Sequence, residues 1–160
     1  MRKDKGITII ALVITVIIML ILVAVTTKIG TGEIEKAKLE DLKATMLLIK
    51  GRAQIAIDKE NFGEDYNKEG MVKLTDEATL PEDITNNYDL TNLQTTFNNL
   101  EDKTKLYIWE QTAMDNNNID VTITNTEFYV IDYNTREVYY SQGYKSEETT
   151  YYSLTDMQNI

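Results

Sequence analysis

The segment DNNNID, Asp115–Asp120, holds two carboxylates and three amides, which are oxygen ligands of the kind that calcium takes. A calcium loop of the EF-hand kind needs such ligands at alternate positions and a central glycine. The third alternate position here is Ile119, and the segment has no glycine. We therefore predict a polar turn between two strands, keep a calcium site as the alternative, and expect no metal and no other cofactor.

Histidine and cysteine are both absent from the chain. Their absence excludes thiol chemistry, disulfides, histidine general bases and Ser-His-Asp triads, and it leaves zinc without its usual ligands. The sequence also has no glycine-rich phosphate loop, nucleophile elbow or paired-carboxylate pattern. These absences favour a structural or binding protein over an enzyme, and a hydrolase that uses carboxylates alone is the third class considered.

The charge is unevenly distributed along the chain. The formal net charge is −10 and the pI is about 4.5. Arg2, Lys3 and Lys5 against Asp4 give the first six residues +2, so the remaining side chains carry −12. An acidic surface repels phosphate backbones, so we expect no direct binding of nucleic acid. A basic tip before an apolar run places the N-terminus in the cytoplasm and the acidic body outside.

The apolar run Ile7–Val25 carries no charge over nineteen residues. As a helix it spans about 28 Å, close to the hydrocarbon thickness of a bilayer. A cleaved secretory signal has a shorter apolar region that ends in small residues, and Ala24-Val25-Thr26 is a poor site of that kind. The run therefore predicts a membrane helix, either a plain single-pass anchor or part of a larger assembly.

The tip MRKDKG is short and basic, ends in glycine and leads directly into the apolar run. It resembles the leader of type IV pilins and of the related pseudopilins of type II secretion systems. The resemblance implies that a prepilin peptidase cuts between Gly6 and Ile7 and methylates the new N-terminus, with Lys5 and Arg2 as processing determinants. It also implies other pilin or pseudopilin subunits, a membrane assembly platform and the lipid bilayer as partners.

The chain departs from the family at one position. Pilins usually carry a glutamate five residues after the cut, where it pairs with the N-terminal amine of a neighbouring subunit. The fifth residue from Ile7 is Ala11. The stretch GITIIAL is similar to the leader variant of Gram-positive members, and an alanine here is compatible with a minor subunit or with a lineage that assembles without the ion pair.

Thr8, Ala11 and Thr15 are spaced three and four residues apart, so they share one face of the predicted membrane helix. Small and hydroxyl residues on one face permit close helix approach in lipid. We predict that this face packs against neighbouring subunits. The alternative is that the threonines only return hydrogen bonds to their own helix.

A second helical segment follows the membrane run. Gly30 and Gly32 weaken or bend the helix, and Thr31 is a candidate N-cap for a new start. An apolar stripe with 3-4 spacing then comprises Leu39, Leu42, Met46, Ile49, Ala53 and Ala56. Four further apolar residues are predicted to widen it: Leu47, Leu48, Ile55 and Ile57. The two segments form one rod, or the second is an ordinary core helix after a linker.

The remaining chain is predicted to be loop-rich and then β-rich. Residues 61–104 are rich in Asn, Asp and Thr and are predicted to form loops with short helical turns. Strands are predicted at Lys105–Thr112, Ile119–Thr124, Phe128–Asp132 and Glu137–Tyr140, followed by a last strand and a short helical turn.

The last predicted strand pair encloses the turn sequence YNTR. It resembles a D-x-x-T-G-E-V-Y hairpin of Gram-positive pilin-like proteins, with Arg136 in place of the glycine. Seven of the ten tyrosines lie between Tyr129 and Tyr152, which is typical of a half-buried sheet, with an adhesive aromatic surface as the alternative.

Together these observations predict an α+β fold, in which a long N-terminal helix with a transmembrane first half packs on a small antiparallel sheet. The predicted segments are a leader at 1–6, a transmembrane and assembly helix at 7–27, an amphipathic helix at 28–59 and an extracellular domain at 60–160. The expected function is that of a pilus or pseudopilus subunit, in the cell membrane and in a surface filament. The alternative is an anchored extracellular binding domain that never polymerises.

Overall fold

A computed structural model describes the backbone of residues 9–74 and 87–160, and the side chains of residues 12–21, 32–74 and 87–160. The chain divides into two units, Met1–Glu40 and Asp41–Ile160, and each is described by itself. The described elements are, in order, α1 (Ile9–Phe62), β1 (Met71–Lys73), a 3-10 turn (Thr91–Leu93), α2 (Gln94–Asn98), β2 (Leu106–Trp109), α3 (Gln111–Asn116), β3 (Tyr129–Asp132), β4 (Glu137–Ser146), β5 (Thr149–Ser153) and α4 (Leu154–Gln158). The predicted α+β class is confirmed.

Helix α1 supplies all of the described part of the first unit. It continues through Gly30 and Gly32, so the new helix start predicted at Thr31 is wrong. Helix propagation adds one hydrogen bond per residue, which offsets the cost of about 1 kcal/mol for each internal glycine. The large apolar side chains between Leu12 and Ile21 are 49–68% exposed. Within the residues described, none of the helices combines the length and the apolar character that crossing a membrane requires.

Helix α1 buries five of the six residues of the predicted stripe, and the sixth, Leu42, is half-buried. Met46 and Ile49 are fully buried, and Ala53 and Ala56 are nearly so. Ile57 is buried as predicted, but the other three residues expected to widen the stripe are 44–53% exposed: Leu47, Leu48 and Ile55. A helix turns by about 100° per residue, so these three point away from the stripe, and that part of the prediction is wrong.

The five strands form one sheet in the order β1-β2-β3-β4-β5, with every neighbouring pair antiparallel. Each strand therefore lies beside the next one in the chain, and the predicted antiparallel sheet is confirmed. Val130 at the centre lies opposite Ile108 on one side and Tyr139 on the other. These three side chains point to the same face, since directly paired residues share a face.

One face of the sheet is covered by the 3-10 turn and α2. Leu93 and Phe97 pack there in one buried cluster with Ile108, Val130 and Tyr139, and the Phe97 and Tyr139 rings meet edge to face at 5.6 Å. Alternate strand residues point to the opposite face, where the rings of Tyr129 and Tyr140 stack.

The part of α1 that belongs to the second unit, residues 41–62, lies against the opposite face. Arg136, in the β3–β4 turn, contacts Asp58 of this helix. Burial first, and then nearby acidic groups that include Asp41 of α1, raise the pKa of Tyr129 on that face. The Asp41–Ile160 unit therefore has three layers, with the sheet in the middle.

The strand predicted at Ile119–Thr124 is wrong. Among the described residues this segment pairs with no strand, and the side-chain amide of Gln111 bonds to its backbone instead. Gln111 Nε2 donates to the carbonyl of Val121 at 3.0 Å, and Gln111 Oε1 accepts from the amide of Ile123 at 3.0 Å. The strand predicted at Lys105–Thr112 is correspondingly shorter, because the chain enters α3 at Gln111.

Strand β1 lies inside the segment predicted to hold only loops and short helical turns. It has three residues and no alternating apolar pattern, so it could not be recognised as a strand from the sequence. The predicted helical turns in the same segment correspond to the 3-10 turn and α2. The predicted β3–β4 hairpin and the final strand with its helical turn are confirmed.

Candidate functional site

The predicted processing residues Arg2, Lys5, Gly6 and Ile7 lie outside the described residues, as does Thr8 of the predicted assembly face. Ala11 lies in α1, in a part of the helix whose side chains are not described. The hydroxyl of Thr15 donates to the carbonyl of Leu12 at 2.8 Å, within its own helix. Thr15 therefore makes the hydrogen bond within its own helix that the alternative expected. The assembly face stays a prediction.

The DNNNID segment is the end of a helix and not a turn between two strands. Asp115 and Asn116 belong to the last turn of α3, and Asn118 adopts the left-handed conformation with φ of 54°. Such a residue commonly ends a helix, and asparagine tolerates it well. The side chain of Asn117 donates to the carbonyl of Ala113 at 2.8 Å. Among the residues the structure describes, no group of three or more acidic side chains could hold a metal ion.

The tyrosines contribute mainly to the interior and its margins, in agreement with the sheet interpretation. Tyr129, Tyr133 and Tyr139 are at most 5% exposed. Trp109 Nε1 donates to the Tyr133 hydroxyl at 3.0 Å, and the Tyr133 hydroxyl lies 3.6 Å from the sulfur of Met71. These polar tips have partners inside the protein, which fits a structural role for the rings.

Burial also controls the ionisation of the tyrosines. Desolvation raises the pKa of Tyr66 and of Tyr88, and in each case a hydrogen bond donated to a glutamate, Glu60 or Glu110, raises it further. Desolvation is also the first cause of the raised pKa of Tyr133. Raised pKa values keep these phenols neutral, so they are not poised as general bases at neutral pH.

One surface feature was not predicted from the sequence. Two adjoining cavities of about 490 and 500 Å³ share Thr96, Ser153 and Asp156, and together they form a groove that we name the β5 groove. Its first part follows the five residues Thr149–Ser153. Its second part continues towards Glu137 and Thr135 at the β3–β4 turn. The sequence signal was weak: β5 is a strand with no charged residue, TTYYS, beside a helical turn.

The opposite wall of the β5 groove comes from the 3-10 turn and α2, through Asn92, Thr95 and Thr96. Asn92 is tied to the sheet by a hydrogen bond from its Nδ2 to the carbonyl of Ser141 at 3.4 Å. The far end is fixed by Glu137, whose carboxylate accepts from the amide and the hydroxyl of Thr155. Both walls are therefore anchored to β4, which gives the groove a defined shape.

A smaller cavity of about 250 Å³ lies between α1, the loop after it and the end of α3. Its lining combines the apolar Ile55 and Met71 with Lys59 and the amide of Asn117. The lining does not combine groups that could carry out acid-base or nucleophilic chemistry.

Comparison with known proteins gives no relative from which a function could be transferred: no family model matches the chain, no curated protein matches it, and no solved structure matches it.

Proposed function

We propose that the chain is a structural subunit, most simply a minor one, of a type IV pilus or of a type II secretion-like pseudopilus. In this proposal a prepilin peptidase cuts after Gly6 and methylates Ile7. The apolar helix then anchors the subunit in the membrane and assembles with other subunits. The N-terminus faces the cytoplasm, and the β-sheet domain lies outside the cell.

The observation that carries the proposal is the difference in burial between the early and the later part of α1. Its early part, Leu12–Ile21, has apolar side chains without cover, and its later part buries a stripe centred on Met46 and Ile49. An exposed apolar surface of this length is unfavourable in water and is stabilised by lipid or by partner helices. A basic tip that ends in Gly6 directly before such a surface supports processing and assembly over simple anchoring.

The first experiment is the intact mass and N-terminal sequence of the protein isolated from its own membranes, with and without the cognate prepilin peptidase. The proposal expects a chain that begins at Ile7, with a methylated amine, only when the peptidase is present. The variant Gly6→Val should block the cut, because a β-branched side chain hinders the extended backbone at the scissile bond. Gly32→Ala is the matched control, since the space around Gly32 is open, and it should be processed normally.

A chain that keeps Met1 with and without the peptidase would remove the filament mechanism. It would leave the second candidate, an anchored extracellular binding domain. A chain that begins near Glu33 would mean that the apolar run is an ordinary cleaved signal. If the unsubstituted chain is cut after Gly6 even when the peptidase is absent, the proposed processing route is contradicted.

A further inference from the structure

Strand β5 is an open edge of the sheet. Among the described strands it pairs only with β4. Natural sheets protect such edges with very short strands, with charges or with proline. The opposite edge, β1, follows this rule, because it has three residues and ends in Lys73. The five residues of β5, Thr149–Ser153, contain neither a charge nor a proline.

The β5 groove runs along this edge. Successive strand residues point to opposite faces of a sheet, so a cavity that touches all five β5 residues must follow the strand's edge. An edge strand presents outward amide and carbonyl groups at alternate residues. Thr95 and Thr96 of α2 form the facing wall, so the groove has an edge strand on one side and a short helix on the other.

The charges around the groove select what can enter it. Glu137 and Asp156 line it, and no lysine or arginine does among the residues that the structure describes. Glu147 and Glu148 stand in the turn immediately before β5. The nearest cation on the ladder is Lys145, which lies opposite Thr150 on β4 and does not line the groove. This surplus of negative charge favours a basic occupant and disfavours an acidic one.

The geometry points to β-strand addition: β5 accepts an extended, basic segment of a partner protein as a sixth strand of the sheet. Main-chain hydrogen bonds to Thr149–Ser153 supply the affinity, and the acidic groups with the Tyr151 and Tyr152 side chains supply the selectivity. The strand is about 16 Å long, so five or six residues of the partner are held. This interaction does not depend on cleavage of the leader, and it is additional to the proposed function.

The test is an NMR titration of the full-length, isotopically labelled chain with a blocked hexapeptide of alternating threonine and lysine. Saturable shifts of the Thr149–Ser153 amides are expected, with dissociation constants of about 1 mM or below. The same peptide with N-methyl groups on the amides of one edge should bind at least about tenfold more weakly, since it cannot complete the ladder. A glutamate version of the peptide should bind more weakly as well.

Two matched variants locate the site. Thr150→Lys places a protective charge on the exposed edge and should weaken peptide binding by about tenfold or more. Thr112→Lys makes the same change at an exposed residue of α3 and should leave binding unchanged. Unaltered amide spectra away from the substitution show in each case that the fold is intact.

Several outcomes overturn the inference. Absence of shifts in β5 at saturating peptide would do so, as would equal binding of the N-methylated peptide. Equal loss of binding in the Thr112→Lys variant would place the peptide elsewhere. If the same amides respond to a neutral oligosaccharide and not to the peptide, the hydroxyl-rich groove is a glycan site. If they respond only to an increase in protein concentration, the edge pairs with a second copy of the chain.

Discussion

The guanidinium of Arg136 lies 3.5 Å from the carboxylate of Asp58 and joins the β3–β4 turn to helix α1. The same carboxylate oxygen accepts a hydrogen bond from Gln54 at 2.7 Å. Arg136 also has φ of 62°, which is the left-handed region that favours glycine. Arg136 stands where the hairpin pattern has a glycine. It therefore adopts a strained backbone conformation, and it makes a side-chain contact that glycine could not make.

Substitutions at Arg136 should separate the strain from the contact. Arg136→Gly should change the free energy of unfolding by no more than about 0.5 kcal/mol relative to the unsubstituted chain. Relief of backbone strain stabilises the variant. Loss of the half-exposed ion pair and the greater flexibility of glycine in the unfolded chain destabilise it by a similar amount. Arg136→Val should lower it by about 1–2 kcal/mol, since a β-branched residue fits this conformation poorly. Urea denaturation followed by the fluorescence of Trp109, the single and fully buried tryptophan, measures both. Equal stability of the two variants would contradict the role assigned to the backbone.

The buried carboxylate of Asp132 should be the main polar support of the same turn. Asp132 is 1% exposed, and it accepts from the amide of Asn134 at 2.8 Å and from the hydroxyl of Thr135 at 2.8 Å. Asp132→Ala should lower the free energy of unfolding by about 2–4 kcal/mol, because it removes the buried charged acceptor of both hydrogen bonds that hold the turn. Denaturation curves in urea, compared with those of the unsubstituted chain, give this value.

The chain contains a matched control for Asp132. Asp102 makes a related local pattern but is exposed, and a single oxygen accepts from both the amide and the hydroxyl of Thr104, at 2.8 and 2.7 Å. Asp132 is buried and bonds to two residues, whereas Asp102 is exposed and bonds to one, so Asp102→Ala should be clearly less damaging than Asp132→Ala. If the two variants lose equal stability, neither burial nor the second bonded residue makes the Asp132 turn important.

Hydrogen bonds from Thr104 lower the pKa of Asp102, and this predicts the sign of its pH dependence. Its contribution to stability is present above the ordinary aspartate pKa of about 4 and is lost as the pH falls through the lower folded value. The stability difference between the unsubstituted chain and Asp102→Ala should therefore shrink on acidification. A difference that grows below that pH would contradict the assignment.

The elements that could be predicted from the sequence are those with a local cause. The 3-4 spacing placed Met46 and Ile49 on the buried face of α1, and the D-x-x-T pattern placed the β3–β4 hairpin. The segment Ile119–Thr124 has a strand-like composition, but the amide of a distant Gln111 satisfies its backbone. The β5 groove could not be predicted from the sequence either, because it depends on which strand forms the edge of the sheet and on where α2 packs.

The side-chain amide of Gln111 should be required to hold the segment Ile119–Thr124 in place. Its Nε2 donates to Val121 while its Oε1 accepts from Ile123, so both halves of the group are needed. Gln111→Glu replaces the donor with a carboxylate oxygen that faces both the Val121 carbonyl and the carboxylate of Asp115, to which Nε2 also donates at 2.8 Å. It should cost about 0.5–1.5 kcal/mol of folding free energy and speed amide exchange at Ile123. Gln94→Glu is the control, because the Gln94 side chain bonds only to Asn98 among the described contacts and is exposed. Unchanged exchange at Ile123 would contradict the proposed role.

Alkaline titration should reveal the buried tyrosines. Six of them have raised pKa values with burial as the first cause: Tyr66, Tyr88, Tyr129, Tyr133, Tyr139 and Tyr140. A raised folded pKa means that folding favours the neutral phenol. The resulting stability is fully present below the unfolded pKa of about 10 and is lost as the pH rises through the folded values.

The tyrosinate absorbance of these six groups should therefore rise at a higher pH in the folded chain than in urea, where they titrate near the ordinary pKa. Tyr88→Phe should reduce the amplitude of this late rise, because burial and the hydrogen bond that Tyr88 donates to Glu110 both raise its pKa. If all ten tyrosines of the folded chain titrate together near their ordinary pKa, the packing of these rings on the sheet is not as described.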